Sequence, residues 1–293
     1  MTKVSINCSR SKNEIPALFI GLLLLIMISL LLLLYSQEGL GITLFFVYIL
    51  LALVVVKYTQ LSICGNCLRV NDRNFPNLKQ VIEKQAKDAV IPEPSLYVTQ
   101  DPYPNAYCIG FRHPYTIVVH SSLIESCTQE EVEGIIAHEV GHAVFGHPKL
   151  STVLFALQSS AFSFFYLPVI WIFNIWQRAT EYTADRCSVV LIGNPRHQVT
   201  ALIKLHTGPK FFDQIDEEAL LNQSIDLNRS IHGTLAEFLF EHPFLVNRIS
   251  SILSFAKENH YTYRDGSIVF CENCGLRLEK SAMFCEGCGH PIA

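Results

Sequence analysis

Two long apolar runs near the N-terminus set the strongest limit on what this chain can fold into. Residues 15–35 include no charged side chain, and residues 40–56 form a second apolar run. At about 1.5 Å rise per residue, a helix over the first run spans the roughly 30 Å hydrocarbon core of a bilayer, and the second nearly does. With 50% of its residues hydrophobic, the chain is also more apolar than most soluble domains. The sequence therefore predicts a transmembrane helical hairpin over residues 15–57.

A secretory signal peptide is the alternative interpretation of the first run, because Lys3, Arg10 and Lys12 precede it. The run is longer than the apolar region of a signal peptide, and no small-residue cleavage site follows it. A second apolar run comes directly afterwards. These features favour the hairpin.

Basic residues flank the predicted hairpin on its two outer sides. The connecting loop has Glu38 as its only charged residue, whereas the outer flanks carry Lys3, Arg10, Lys12, Lys57, Arg69 and Arg73. Lys and Arg concentrate on the cytoplasmic side of membrane proteins. The prediction is a multi-pass integral membrane protein with residues 1–14 and the main domain in the cytoplasm. The net charge of −4, without a basic stripe, predicts no nucleic-acid partner.

The pattern between residues 70 and 260 predicts an α+β domain that is mostly helical. An amphipathic helix is expected over 74–90, and four prolines between 92 and 104 exclude helix from the next segment. Apolar strands are expected at 96–98 and 115–120, and we predict that they pair in a small antiparallel sheet. The polar segment 208–230 predicts a loop or a loose helix.

The stretch IIAHEVGHAVFGH carries the clearest chemical signal. Thr128 and Glu131 form a capping-box pattern that starts the helix containing it. His138 and His142 are four residues apart, so both imidazoles project from one helix face and can bind one Zn²⁺. Glu139 lies beside that face, where its carboxylate can act as a general base on a water polarised by the ion. The alternative is a structural helix that carries this pattern without zinc.

A hydrolytic zinc site requires a third protein ligand and an open position. ATEYTAD offers a candidate: Glu181 would be the third ligand, and Asp185, one turn later, would accept the outer N–H of a zinc-binding histidine. Alone, such a pair is common on solvated helix faces. His147 lies about 180° from His138 while the helix continues, so it is predicted not to join the site.

Four cysteines near the C-terminus form a separate module over residues 268–293. They lie in two CxxCG motifs and are Cys271, Cys274, Cys285 and Cys288. Four thiolates in this spacing predict a zinc ribbon with one structural Zn²⁺, which contacts a protein partner or caps the main domain. The isolated pair Cys64 and Cys67 is predicted to hold no metal.

Several segments together resemble the HtpX-like family of membrane-bound zinc endopeptidases, and more distantly the CAAX prenyl proteases. They are NAYCIG, TIVVHSSLI, EEVEGIIAHEVGHAVFGH, RATEYTAD, IGNPRHQVTALIKL and EHPFLVNRI, in the family's order over residues 75–253. The resemblance implies a zincin-type domain of the gluzincin kind. It implies His138, His142 and Glu181 as the ligands of a catalytic Zn²⁺ and Glu139 as the catalytic base.

The same resemblance implies further site residues. His242 and Arg248 would lie near the site and stabilise the oxyanion or the closure of the domain. The segment from Asn105 and Ala106 to Gly110 would be the sheet edge that aligns an extended substrate by strand addition.

The sequence departs from this family in the apolar segment 151–177. HtpX-like members commonly place two transmembrane helices there, but a segment this short could cross once only and would separate Glu181 from His138. We therefore predict a hairpin centred on Pro168 that enters the membrane or covers the site without crossing. A buried, soluble helical hairpin is the alternative.

The function expected from these features is that of a membrane-anchored zinc endopeptidase. Its substrates would be membrane or membrane-associated proteins and peptides, and the family suggests a role in quality control. One alternative is a non-catalytic membrane scaffold that recruits partners through the ribbon. Another is a CAAX-prenyl-type protease, which the small number of membrane spans disfavours.

Overall fold

The computed structural model describes four long ranges of the chain, 10–35, 60–158, 167–230 and 242–261. It also describes positions 47, 50, 54, 55, 57, 58, 236, 237, 240, 269, 270, 277, 278 and 284. The helices are α1 (Glu14–Tyr35), α2 (Pro76–Asp88), α3 (Ser121–Ser126), α4 (Gln129–Phe145), α5 (Pro148–Gln158), α6 (Leu167–Ile192), α7 (Pro195–Thr207), α8 (Glu217–Arg229) and α9 (Leu245–Glu258). The strands are β1 (Leu68–Arg69), β2 (Ser95–Thr99), β3 (Ala106–Ile109), β4 (Thr116–His120), β5 (Val269–Phe270) and β6 (Arg277–Leu278), and a 3₁₀ helix covers Pro209–Gln214.

The main sheet has four strands in the order β1-β2-β4-β3. β1 with β2 and β3 with β4 pair antiparallel, but β2 and β4 run parallel, with Leu96 opposite Ile117. The prediction of an antiparallel sheet is therefore wrong, and the sheet is mixed. After β2 the chain leaves one strand position open and forms β3 at the edge of the sheet. It then turns back and forms β4 between β2 and β3, so β4 runs parallel to β2. Both central strands are mostly buried, as is usual for parallel pairs.

Three of the sequence-based helix expectations can be compared with the structure. The helix over 74–90 is confirmed as α2, whose apolar face is buried. The capping box that begins α4 is confirmed, since Thr128 accepts a hydrogen bond from the Glu131 backbone N–H and the Glu131 carboxylate accepts one from Thr128 N–H. The segment 208–230 is more ordered than predicted, because the Asp216 side chain caps a full helix, α8.

α4 lies at the centre of the domain. One side packs on the sheet and α2, where Ile82, Ile117 and Ile136 belong to one buried cluster. α6 packs along another side of α4, and α7 and α9 complete the domain through a second cluster that includes Val199 and Ile249. The helix that carries His138, Glu139 and His142 is thus largely buried in the domain.

α1 contacts the domain along α6, and Ala17 shares a small buried cluster with Leu154, Phe173 and Trp176. Its other side leaves large apolar side chains exposed, namely Ile15, Phe19, Ile20, Leu22, Leu23, Ile26, Met27 and Leu30. Counting only described residues, no helix qualifies as long and apolar enough to cross a membrane. The second predicted span, 40–56, falls almost entirely outside those residues.

The inserted apolar segment forms the end of α5 and the start of α6. The prediction that Pro168 is the centre of a hairpin turn is wrong, since Pro168 is the second residue of α6. Proline is tolerated in the first turn of a helix, where its missing N–H has no partner to lose. The connection, 159–166, lies outside the described residues. So do the four cysteines of the predicted ribbon, although β5 and β6 near them pair antiparallel.

Candidate metal centre

α4 presents three functional side chains toward one cleft. His138 and Glu139 are buried, His142 is half-buried, and all three line a cavity of about 230 Å³. The Nε2 atoms of His138 and His142 are 3.1 Å apart. The four-residue spacing therefore brings the two imidazoles together as the sequence predicted.

α6 brings Glu181 to the same point. Its Oε2 lies 3.5 Å from His138 Nε2, and its Oε1 lies 3.4 Å from His142 Nε2. One atom from each of the three side chains falls within 4.8 Å of the others. Within the described part of the chain, no other group of three metal-binding side chains meets so closely.

Asp185 supports His138 from the side away from this cluster. The Asp185 Oδ1 atom lies 2.9 Å from His138 Nδ1. Arg248 donates to both oxygens of the same carboxylate, from Nε at 2.9 Å and from Nη2 at 2.7 Å. Burial alone would raise the pKa of Asp185, but Arg248 and His138 lower it to about 2. Asp185 is thus a carboxylate held ionised behind His138.

The three side chains fit a zinc ion on the chemistry of their donor atoms. Two imidazole nitrogens and one carboxylate are a set that binds Zn²⁺ while leaving a coordination position open. The outer nitrogen of His138 faces a carboxylate, as is usual for histidines that bind zinc. The cluster is also buried and opens into a cleft.

Glu139, Glu181 and Asp185 are all buried, but the pKa of Glu139 is shifted upward, whereas the pKa values of Glu181 and Asp185 are shifted downward. Desolvation raises the pKa of Glu139, and the nearby His142 and His138 offset only part of that effect. A raised carboxylate pKa suits a group that must accept and release a proton near neutral pH. Glu139 thus combines a place in the lining of the cleft with a raised pKa.

The sequence profile of peptidase family M48 matches residues 72–256, which include all of these side chains. The chain belongs to peptidase family M48. The resemblance to the HtpX-like metallopeptidases, seen in the motifs, is confirmed at the level of this family.

Individual M48 relatives are distant in sequence. The chain is 28% identical over 213 residues to the plastoglobule-localized metallopeptidase 48, chloroplastic, of Arabidopsis thaliana, and the match covers 67% of this chain and 62% of that protein. It is 25% identical over 292 residues to a protease HtpX homolog of Streptococcus thermophilus, covering 83% and 97%. A crystal structure of S. mikatae Ste24p matches with 20% identity and a TM-score of 0.49, covering 80% of this chain and 63% of that one. The match thus spans less than two thirds of the plastoglobule protein's own length.

Arg248 and His242 were implied as site residues by the family resemblance. The structure places them in different surroundings. Arg248 is buried, and its Nη1 lies 3.1 Å from Glu181 Oε2 in addition to its bonds with Asp185. His242 has 70% of its side chain exposed at the mouth of the cleft, with Nδ1 3.4 Å from Glu181 Oε1. Arg248 therefore fixes carboxylates inside the site, whereas His242 borders it.

The predicted substrate-aligning segment, residues 105–110, lies only partly in the cleft. Asn105 and Ala106 are among the lining residues, and Ala106 begins the edge strand β3. Gly110 lies past the far end of β3, where its N–H donates to Thr152 Oγ1 at 3.2 Å. The cleft thus runs along the start of an edge strand.

His147 is not among the three side chains whose donor atoms converge, but it lines the cleft and contacts His142, which the sequence did not predict. The prediction assumed that the helix continues, but α4 ends at Phe145 and Gly146 forms a left-handed C-terminal cap with φ 71°. His147 then points back, with Nδ1 2.9 Å from His142 Nδ1, and it lines the cleft. The signal was present, because a glycine after an apolar helix favours a left-handed C-terminal cap.

Gly141 allows α4 and α6 to approach closely enough for Glu181 to reach the histidines. A Cβ atom at this position would lie 2.9 Å from Cys187 Cβ and 3.1 Å from Ala184 Cα. The second of these is backbone, which cannot move aside without shifting α6. The glycine between the two motif histidines thus sets the distance between the metal-binding helices.

Gly141→Ala is expected to destabilise the protein by about 1–3 kcal/mol through overpacking and to weaken zinc binding. The thermal unfolding midpoint and the zinc content of the purified chain measure the two effects. Gly65→Ala is the matched control, because a Cβ there meets nothing within 4 Å. An unfolding midpoint for Gly141→Ala equal to or above that of wild type would show that the helices do not need the glycine.

Proposed function

We propose that this M48 chain is a zinc-dependent endopeptidase that hydrolyses protein or peptide substrates. The observation that carries the proposal is the position of Glu139, buried in the cleft that His138, His142 and Glu181 also line. A metal site that served stability alone would not need a carboxylate base beside an open cleft. The non-catalytic scaffold is therefore the less favoured function.

The side chains divide the chemical work between them. A zinc ion held by His138, His142 and Glu181 would polarise the scissile carbonyl and a water molecule when bound. Glu139 takes a proton from the attacking water and can pass it to the departing nitrogen. Asp185 keeps His138 oriented, and Arg248 in turn keeps Asp185 in place.

The edge strand β3 supports the same proposal from the substrate side. An extended peptide can add to a free sheet edge through main-chain hydrogen bonds. Because Asn105 and Ala106 line the cleft, such a peptide would pass the metal-binding side chains. Asn105, Ala106 and the more distant Gly110 are proposed as the substrate-aligning segment, and His242 as a residue at its border.

We further propose that the chain is membrane-associated and that its peptidase domain lies in the cytoplasm. Its substrates would be membrane or membrane-associated proteins, which it would cleave in quality control. Three features support attachment to a bilayer. They are the uncharged run 15–35, the second apolar run 40–56 and the exposed apolar side of α1. The distribution of Lys and Arg supports the orientation. The spacing of Cys271, Cys274, Cys285 and Cys288 supports a structural zinc ribbon that contacts a partner or substrate.

Zinc removal tests the proposed activity. The full chain, purified in detergent and given an unfolded protein such as casein, is expected to lose cleavage when treated with a zinc chelator and to regain it when Zn²⁺ is restored. Elemental analysis should find two zinc ions per chain, one catalytic and one structural. Cleavage that persists in a chain stripped of zinc at the His138 site would contradict the proposal, and a zinc-loaded chain that cleaves no protein would favour the scaffold.

A further inference from the structure

The two metal-binding histidines are supported from behind in different ways. His138 faces Asp185, which lies on the same helix as Glu181. His142 faces His147, whose Nε2 atom lies 3.2 Å from Oε1 of Glu14. Glu14 begins α1 and is 133 residues away from His147 in sequence. The outer support of His142 thus comes from the N-terminal helix.

The hydrogen bonds from His142 through His147 to Glu14 can all be donated in one direction. If Nε2 of His142 faces the metal, its proton is on Nδ1 and is donated to Nδ1 of His147. His147 then carries its own proton on Nε2 and donates it to the carboxylate of Glu14. Each donor has an acceptor, and the side chains of His147 and Glu14 are only 2% and 0% exposed.

Glu14 is itself fixed by both metal-binding helices. Thr183 of α6, two residues after Glu181, donates from Oγ1 to Glu14 Oε2 at 2.6 Å. Arg10 forms an ion pair with Glu14 and donates to the carbonyl of Phe145, the last residue of α4, at 3.3 Å. The guanidinium of Arg10 also lies over the Phe145 ring. A buried carboxylate that is contacted by Thr183, Arg10 and His147 has little freedom to move.

We propose that Glu14 and His147 are positioning residues for the metal centre, which orient His142 through a hydrogen-bonded relay that begins in the N-terminal helix. The inference rests on the proposed zinc site. Partners that hold the outer nitrogen of a zinc-binding histidine fix its ring orientation and raise its basicity. Retention of zinc therefore depends on the hydrogen bonds by which His147 and Glu14 hold the outer nitrogen of His142.

The rate of zinc loss tests this relay without relying on catalysis. Full-length protein in detergent, loaded with Zn²⁺, is mixed with excess chelator, and zinc transfer is followed in time. His147→Leu and Glu14→Ala are expected to release the zinc of this site about 10–100-fold faster than wild type. His142→Ala identifies which part of the released zinc belongs to the site.

Two conservative variants provide the rescue. The amide oxygen of His147→Asn can still accept the proton of His142 Nδ1, so this variant should release zinc several-fold more slowly than His147→Leu. Glu14→Gln keeps an acceptor for His147 Nε2–H and should likewise lie between wild type and Glu14→Ala. The Co²⁺-substituted forms of His147→Leu and wild type should also differ in their visible spectrum, which reports the geometry of the ligands directly.

Leu154→Ala is the packing control. Leu154 is buried with Ala17 between α1, α5 and α6, and it takes no part in the relay. This variant should unfold at a lower temperature yet release zinc at the wild-type rate. Wild-type zinc release from His147→Leu and Glu14→Ala would overturn the inference, as would equally fast release from Leu154→Ala. If His142→Ala binds as much zinc as wild type, the metal site itself fails, and that result is distinct from failure of the relay.

Discussion

Glu139→Gln is expected to lower the rate of peptide hydrolysis by about 10²–10⁴-fold, the range that a general base contributes. Glutamine keeps the shape of the side chain in its buried place beside His138 and His142 but cannot accept a proton from water. Zinc content and the unfolding midpoint should stay at wild-type values, because Glu139 does not belong to the group of converging donor atoms. Cleavage of casein by the full chain, with elemental analysis of the same samples, measures both effects.

The control for this variant is Glu130→Gln. It makes the same chemical change in the first turn of α4, at an exposed position outside the cleft. Its cleavage rate should equal that of wild type. If Glu139→Gln hydrolyses substrate as fast as Glu130→Gln, the role proposed for Glu139 is excluded.

Arg248→Met is expected to destabilise the protein by about 3–5 kcal/mol, the cost of removing one partner from a buried ion pair. The guanidinium bonds both oxygens of Asp185 and lies 3.1 Å from Glu181, and all three side chains are buried. Methionine fills much of the same space but leaves two buried carboxylates without their shared cation. At about 2–4 °C per kcal/mol for a domain of this size, the unfolding midpoint should fall by roughly 6 °C or more.

Lys79→Met provides the matched comparison for Arg248→Met. Lys79 pairs with Glu93 at 2.7 Å, but this pair lies at the surface, where such contacts contribute about 0.2–1 kcal/mol. Both variants are measured by thermal unfolding with and without added Zn²⁺, which can offset part of the charge on Glu181. A midpoint for Arg248→Met no lower than that of Lys79→Met would show that the buried carboxylates do not depend on Arg248.

Local sequence signals were sufficient wherever the relevant contacts lie within one helix. The capping box, the apolar pattern and the four-residue spacing fixed α4 and placed His138, Glu139 and His142 on adjoining faces. The same spacing predicted that Glu181 and Asp185 would act together on α6. The order of the strands was not accessible in this way, because parallel pairing of β2 with β4 depends on where a connecting loop carries the chain.

The sequence by itself determined that His138 and His142 share one helix face and that Glu181 and Asp185 share another, since helix periodicity sets which side chains of one helix lie together. Only the tertiary structure decided what surrounds those side chains. It decided that His147 contacts His142 because α4 stops at Phe145, that Arg248 reaches Asp185 from 63 residues away, and that Glu14 reaches His147 from 133 residues away. Such contacts depend on how helices pack, which no short stretch of sequence encodes.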